Sequence, residues 1–265
     1  MAPVPATTRR EVIVLGRLAR FAEGHGLGSP PLSPEVIEAF AAIGLLGRTS
    51  ATRGTYRSVL RHLAGEPAPP MARRFAGSVA KAPYSGVERT ELWSAAAHQH
   101  LGWRAHSAKV LLALSMGAGL RSGEITALRS HQVSGTGQRA TVRVEGALAR
   151  TVTVEGTYAQ VLVAATRDAR GEQLFGPGTA ERSYHNFVND FCVTLSADPG
   201  APALSVARCR SSFICDHLEK QTALSVLLDQ SGINEVESLL RYARHVASAP
   251  QSKAALRAQL KAQSW

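Results

Sequence analysis

The stretch Gly117-Ala118-Gly119-Leu120-Arg121-Ser122-Gly123-Glu124-Ile125-Thr126-Ala127-Leu128 constrains the fold of this chain more than any other. An apolar helical run, Val110 to Leu114, leads into it and breaks at Gly117 and Gly119, where a tight turn excludes a Cβ. A second apolar-periodic segment follows, with Ile125 and Leu128 three apart. The chain therefore turns a helical corner, and Arg121 stands at the start of the outgoing helix. Two readings of that arginine stand on this stretch alone. It is a solvated side chain at a helix–turn–helix corner, or a cation aimed at an anion.

Charge bears on that choice. The chain of 265 residues carries a formal net charge of +10, with far more arginine than lysine, and a pI of about 10.1. Guanidinium forks match phosphate geometry and release counterions on binding, so the balance points to a polyanionic partner. The length suits one large domain or two moderate ones, each with its own core. Cys192, Cys209 and Cys215 are odd in number and lie near or within apolar segments. They read as reduced thiols of an intracellular protein, not as a disulfide framework. No C-x-x-C occurs and the histidines lack zinc-like spacing with cysteines, so no metal site is expected. No apolar run reaches membrane-spanning length and no signal peptide is present. The expectation is a cytoplasmic protein with no membrane partner.

The first 70 residues read as a small helical domain. Thr7 or Thr8 can cap a helix with apolar positions Val12, Leu15, Leu18 and Phe21 or Ala22. Ser33-Pro34-Glu35 is a helix start with proline in the first turn. A third helix, capped by Thr49 or Ser50, buries Tyr56, Val59, Leu60 and Leu63. Arg53, Arg57 and Arg61 recur at every fourth position and share one face of it. Like charges at that spacing repel, so the face reads either as a phosphate contact or as a solvated basic surface. Prolines at 67, 69 and 70 stiffen the exit, and residues 71–84, with Arg73, Arg74 and Lys81, read as a basic linker.

Residues 85–265 read as a second, mainly helical domain with one small β element. Ser85 or Thr90 begins its first helix. After a loop at Ser134-Gly135-Thr136-Gly137, Ala140 to Val154 alternates apolar and polar residues around Gly146, as a β-hairpin does. Tyr158 to Ala165 is helical, and Tyr184, Phe187, Val188 and Phe191 form another stripe. A segment from Leu204 to Leu218 carries Arg208 and Arg210, and a run after Gly232 holds Val236, Leu239 and Tyr242. The last helix, Ser252 to Ala262, has Leu256 and Leu260 as its only apolar pair. It reads as a solvated helix or as a docking arm for another copy.

Taken together these segments resemble the tyrosine recombinase (phage integrase) family. Gly119-Leu120-Arg121-Ser122-Gly123-Glu124 is similar to that family's first arginine box, and the 140–154 hairpin to the hairpin after it. Cys209-Arg210-Ser211-Ser212-Phe213 resembles the second box. From Phe213 the register runs without a gap, placing Gly232 on the glycine of the G-H box and Tyr242 on the nucleophile. The resemblance covers essentially the whole chain. It implies a helical core-binding domain followed by a mixed catalytic domain, acting on double-stranded DNA as a homo-oligomer without metal or other cofactor.

The same resemblance implies the site. Tyr242 attacks a phosphodiester and forms a covalent 3′-phosphotyrosine, while Arg121 and Arg210 hold the charge that grows on the non-bridging oxygens. Three positions depart from the family's pattern. Ala207 and Ile233 stand where the family has histidines, and Glu145 stands at the hairpin lysine. Arg143, Arg150, Arg208 or His245 is then a candidate to approach the phosphate, though arginine is a poor proton donor. Arg208 reads equally as a solvated neighbour, and Tyr242 as a helix-face aromatic beside Leu239. Two functions follow: a site-specific recombinase or integrase, or a recombinase-fold DNA-binding protein that no longer cuts and serves regulation or DNA architecture.

Overall fold

The computed structural model describes residues 6–26, 32–65, 80–168, 173–176, 187–195 and 202–263. The chain divides into two compact units, Met1–Val79 and Ala80–Trp265. Of the segment read as a linker, residues 71–79 lie outside the described residues, as does Tyr184.

The first unit is helical. It comprises α1 (Ala6–Gly24), α2 (Pro34–Ala39) continued by a widened turn over Phe40–Gly44, and α3 (Ser50–Leu63). Ser33 caps α2 and Thr49 caps α3, their hydroxyls accepting from the N–H groups of Val36 and Thr52. Thr7 and Thr8 fall inside α1 and do not precede it. The buried stripe of α1 also differs from the expected one. Val14, Leu18 and Ala22 are buried, whereas Val12 is 63% and Leu15 37% exposed. Residues 12–15 are all apolar, so periodicity alone allows two stripes, and packing against α3 selects one. Val14 and Leu18 meet Ile37, Phe40, Leu45 and Leu60 in the core.

The second unit begins with Ala80 and Tyr84 already buried. Ser85 and Glu88 form a reciprocal cap at the start of α4 (Gly86–Ala97). Then come α5 (Gly102–Leu112) with a widened turn over Ala113–Gly117, and α6 (Ser122–Ala127). Three antiparallel strands follow, β1 (Val133–Thr136), β2 (Arg139–Val144) and β3 (Arg150–Glu155), in the order β1-β2-β3. The expected hairpin is β2–β3, with Val142 opposite Val152 and Ala140 opposite Val154. The residues read as a loop before it are mostly strand β1, with Gly135 opposite Ala140. A Cβ at Gly135 would collide with the Arg139 carbonyl, so this pairing exists because the residue is glycine.

The remaining helices are α7 (Gly156–Asp168), α8 (Phe187–Leu195), α9 (Val206–Glu219), α10 (Leu224–Ser231), α11 (Leu240–Ala243) and α12 (Lys253–Ala262). The described residues are thus mainly α with one small sheet. One core gathers the helices around the sheet, including Leu111, Leu114, Leu120, Val142, Val152 and Leu162. A second holds Phe213, Ile214, Leu227, Leu239, Tyr242 and Leu256. Leu256 is fully buried and the Gln263 side chain accepts from the Leu224 N–H at 2.8 Å, so α12 docks on its own chain. All three cysteines are free and buried. Among the described residues no helix is long and apolar enough to cross a membrane.

Candidate phosphate-binding site

The site starts at the glycine corner. The Leu120 N–H reaches back to the Leu114 carbonyl at 3.0 Å, and Gly119 takes a φ of +61° between them. A Cβ on Gly119 would run into the Phe213 ring, and one on Gly117 would lie 2.6 Å from the Cβ of Tyr158. The corner is therefore closed on two sides by aromatic residues of α9 and α7. Arg121 precedes α6 in an extended conformation, and its N–H donates to Glu124 Oε2 at 2.8 Å. That capping contact fixes the arginine's backbone.

The carboxyl end of α10 supplies the opposite wall. The last carbonyls of a helix have no partner within it and carry the negative end of its dipole. Here arginines from three elements take three successive ones. Arg150 Nε donates to the Gln230 carbonyl at 2.8 Å, Arg210 Nη2 to Ser231 at 2.6 Å, and Arg121 Nη2 to Gly232 at 2.8 Å. Arg210 Nη1 also donates to the Gly119 carbonyl, which ties the corner to α10. Gly232 terminates α10 with a φ of +60°, and a Cβ there would lie 2.9 Å from Arg150 Nη1.

One carboxylate stands against the three cations. Glu124 takes a fork from Arg150, at 2.7 Å and 3.0 Å, and a single contact from Arg121 Nη1 at 3.2 Å. Burial pushes its carboxyl up, but the Arg150 hydrogen bonds, the Arg121 amide and both guanidinium charges outweigh this and hold it below the usual carboxylate range. Arg210 is 8% exposed. Desolvation, then the like charge of Arg121, push it down to about 10, with Tyr242 and Glu124 opposing. Tyr242 is carried on α11, is 7% exposed, and packs in the second core with Phe213 of α9, the helix that also bears Arg210. The result is a cluster with surplus positive charge, in which the Arg121 side chain is 38% exposed and open to an anion. Among the described residues no group of His, Cys, Asp and Glu side chains is placed to hold a metal ion.

The other residues singled out in the sequence divide sharply. Arg150 reaches the cluster but faces inward, its side chain 6% exposed. Arg208 does not reach it. Its guanidinium stacks 4.0 Å from the Tyr84 ring centroid, donates to the Ala82 carbonyl at 3.0 Å and pairs with Glu88 at 2.7 Å. Arg208→Met is accordingly expected to cost about 1–3 kcal/mol of stability in urea titration, while the salt slope of any DNA binding stays at its wild-type value. In the first unit Arg57 and Arg61 both pair with Glu38, at 3.4 Å and 2.7 Å, and Arg53 donates to the Ala41 and Ala42 carbonyls. Glu38 on α2 thus offsets one of the three like charges on α3, which weakens the argument from repulsion toward phosphate. Arg143 pairs with Glu145 at an exposed position. His245 bonds to the Ala80 carbonyl at 3.0 Å. Ala207 is exposed, and Ile233 packs against the second core.

What the sequence did not reveal is the set of acceptors. The Gly119, Gln230, Ser231 and Gly232 carbonyls orient all three guanidiniums, and backbone groups leave no residue-type signature. A left-handed glycine ending a helix was the one available sign of a cation-attracting helix end.

No protein-family model and no curated protein sequence matches the chain. Solved structures do resemble it. A lambda integrase dimer bound to a COC′ core site is 14% identical with a TM-score of 0.62, covering 95% of this chain and 93% of that one. The Tn1549 transposon integrase in complex with transposon right end DNA is also 14% identical with a TM-score of 0.62, covering 100% and 96%. XerH site-specific recombinase in a post-cleavage complex with palindromic difH substrate is 15% identical with a TM-score of 0.60, covering 87% of this chain and 69% of that one. The chain spans 65% of the XerH chain in its pre-cleavage complex.

Proposed function

The chain has the tyrosine recombinase fold, and from that premise we propose that it binds duplex DNA and cuts and rejoins a strand through Tyr242. The observation that carries this reading is the convergence of Arg121 and Arg210, from separate elements, on neighbouring carbonyls at the carboxyl end of α10, with Tyr242 on α11, which packs against α9, the helix that bears Arg210. Arg121 and Arg210 hold the non-bridging oxygens of one phosphodiester. The Tyr242 oxygen attacks phosphorus, the bond to the 5′-oxygen breaks, and the strand's 3′-phosphate stays on the tyrosine. Rejoining reverses these bonds. The resembling lambda, Tn1549 and XerH proteins were solved on DNA, the lambda protein as a dimer, which supports a duplex partner and assembly of copies on it.

A second reading has its own observation. Attack and departure each need a proton carrier, typically worth about 10²–10⁴-fold, and Ala207 and Ile233 cannot serve. Glu145 is paired with Arg143 and brings the wrong charge. On this reading the protein binds DNA on the same clamp without cutting it. A nicked suicide duplex carrying the protein's own attachment site separates the two. A denaturant-resistant adduct that disappears in Tyr242→Phe supports cleavage. Tight, salt-sensitive binding with no adduct establishes the second reading in its place.

A further inference from the structure

Glu124 poses a problem for the clamp. A partly buried carboxylate one helical turn from Arg121 is an ideal partner for a bidentate guanidinium, and an arginine forked onto a carboxylate has little charge left for a phosphate. Yet the Arg121 guanidinium makes only a single contact with it, at 3.2 Å, while that of Arg150 covers both oxygens at 2.7 Å and 3.0 Å. Arg150 is held in that pose on every side. Its Nε donates to the Gln230 carbonyl and its Nη1 to Leu148, and its guanidinium lies against Gly232, where a Cβ would be 2.9 Å away.

We infer that Arg150 is a positioning residue: it occupies Glu124 so that Arg121 stays available to a phosphate. The inference rests on the phosphate-clamp reading and assigns Arg150 no contact with DNA, in place of the phosphate contact its position on the hairpin suggested. With Arg150 gone, Glu124 is free to take the Arg121 fork, and the clamp loses one jaw to its own support. Gly232 belongs to the same arrangement, since any side chain there displaces the Arg150 guanidinium.

The test uses the full chain, a duplex carrying its attachment site, and three variants. Arg150→Met is expected to weaken duplex affinity about tenfold, the lower end of losses seen when a partner that orients a ligand-holding group is removed. Arg150→Met combined with Glu124→Gln is expected to recover most of that loss. The neutral amide still accepts from the Arg121 N–H but no longer captures its charge. Arg150→Lys, covering only one oxygen, falls between wild type and Arg150→Met. A crystal structure of Arg150→Met is expected to show Arg121 forked onto Glu124. A double variant as weak as Arg150→Met, or an Arg150→Met structure with Arg121 unmoved, overturns the inference; the structure separates it from simple relief of an unpaired Glu124, which would leave Arg121 in place. If the wild-type chain binds no duplex, the clamp reading falls, and the position of Arg121 in the variant crystal still decides the role of Arg150.

Discussion

Gly119→Ala is expected to destabilise the second unit by about 3 kcal/mol, a fall of about 6–12 °C in Tm for a unit of this size. Two costs combine. A residue with a Cβ loses about 1–2 kcal/mol in the left-handed conformation that Gly119 adopts at φ +61°. The methyl group also enters the Phe213 ring, which is 2% exposed and has no room to retreat, and overpacking of this kind costs about 1–3 kcal/mol. Gly123 provides the control. It lies in α6, has open space where a Cβ would be, and does not have a positive φ. Gly123→Ala is therefore expected to be neutral or to stabilise by up to about 1 kcal/mol. Thermal and urea unfolding of the pair reads the contrast, and equal stabilities would remove the corner from its place at the base of the site. The functional loss is expected to exceed the stability loss, because the Gly119 carbonyl is one of the two that hold Arg210.

The parts of this molecule legible in the sequence are those with a residue-type signature. Paired glycines announced the corner, Ser33, Thr49 and Ser85 announced their caps, and alternation announced β2 and β3. Arg121, Arg210 and Tyr242 stood out through order and spacing along the whole chain. The rest was hidden for separate physical reasons. The apolar run at residues 12–15 carries two stripes, and only the packing of α1 on α3 distinguishes them. Strand β1 was masked by Gly135, a poor strand former that is required there by close approach of the neighbouring backbone. The row Arg53, Arg57 and Arg61 was judged by the charges of its own helix, whereas its counter-charge, Glu38, lies on α2. Arg150 was visible as a cation on a hairpin, but its inward direction depends on Glu124, which is distant in sequence, and on carbonyls of α10. In each case the missing information is a tertiary partner.

Arg210→Met is expected to reduce duplex affinity by at least about a hundredfold while changing stability by no more than about 3 kcal/mol. The small stability change follows from opposing terms. Burial, with the like charge of Arg121, pushes the Arg210 pKa down to about 10, below the ordinary guanidinium range. A basic group whose folded pKa is lowered costs stability wherever both states are protonated, and the cost is relieved only as pH rises above about 10. At neutral pH that cost is on the order of 3 kcal/mol, and methionine removes it. Against this, the Gly119 and Ser231 carbonyls lose their donor, at about 1–3 kcal/mol each. Binding has no such compensation. A phosphate would supply the counter-charge for the desolvated Arg210 guanidinium, so the desolvation cost favours binding an anion there. In a melting experiment, duplex at about one hundred times Kd stabilises the wild-type protein by about 2.7 kcal/mol, or about 5–10 °C. Arg210→Met, with affinity lower by a hundredfold or more, is expected to show no more than about 0.4 kcal/mol, or about 1–2 °C, at the same concentration. A variant that keeps it would mean that Arg210 serves only the two carbonyls, with the phosphate bound elsewhere on the molecule.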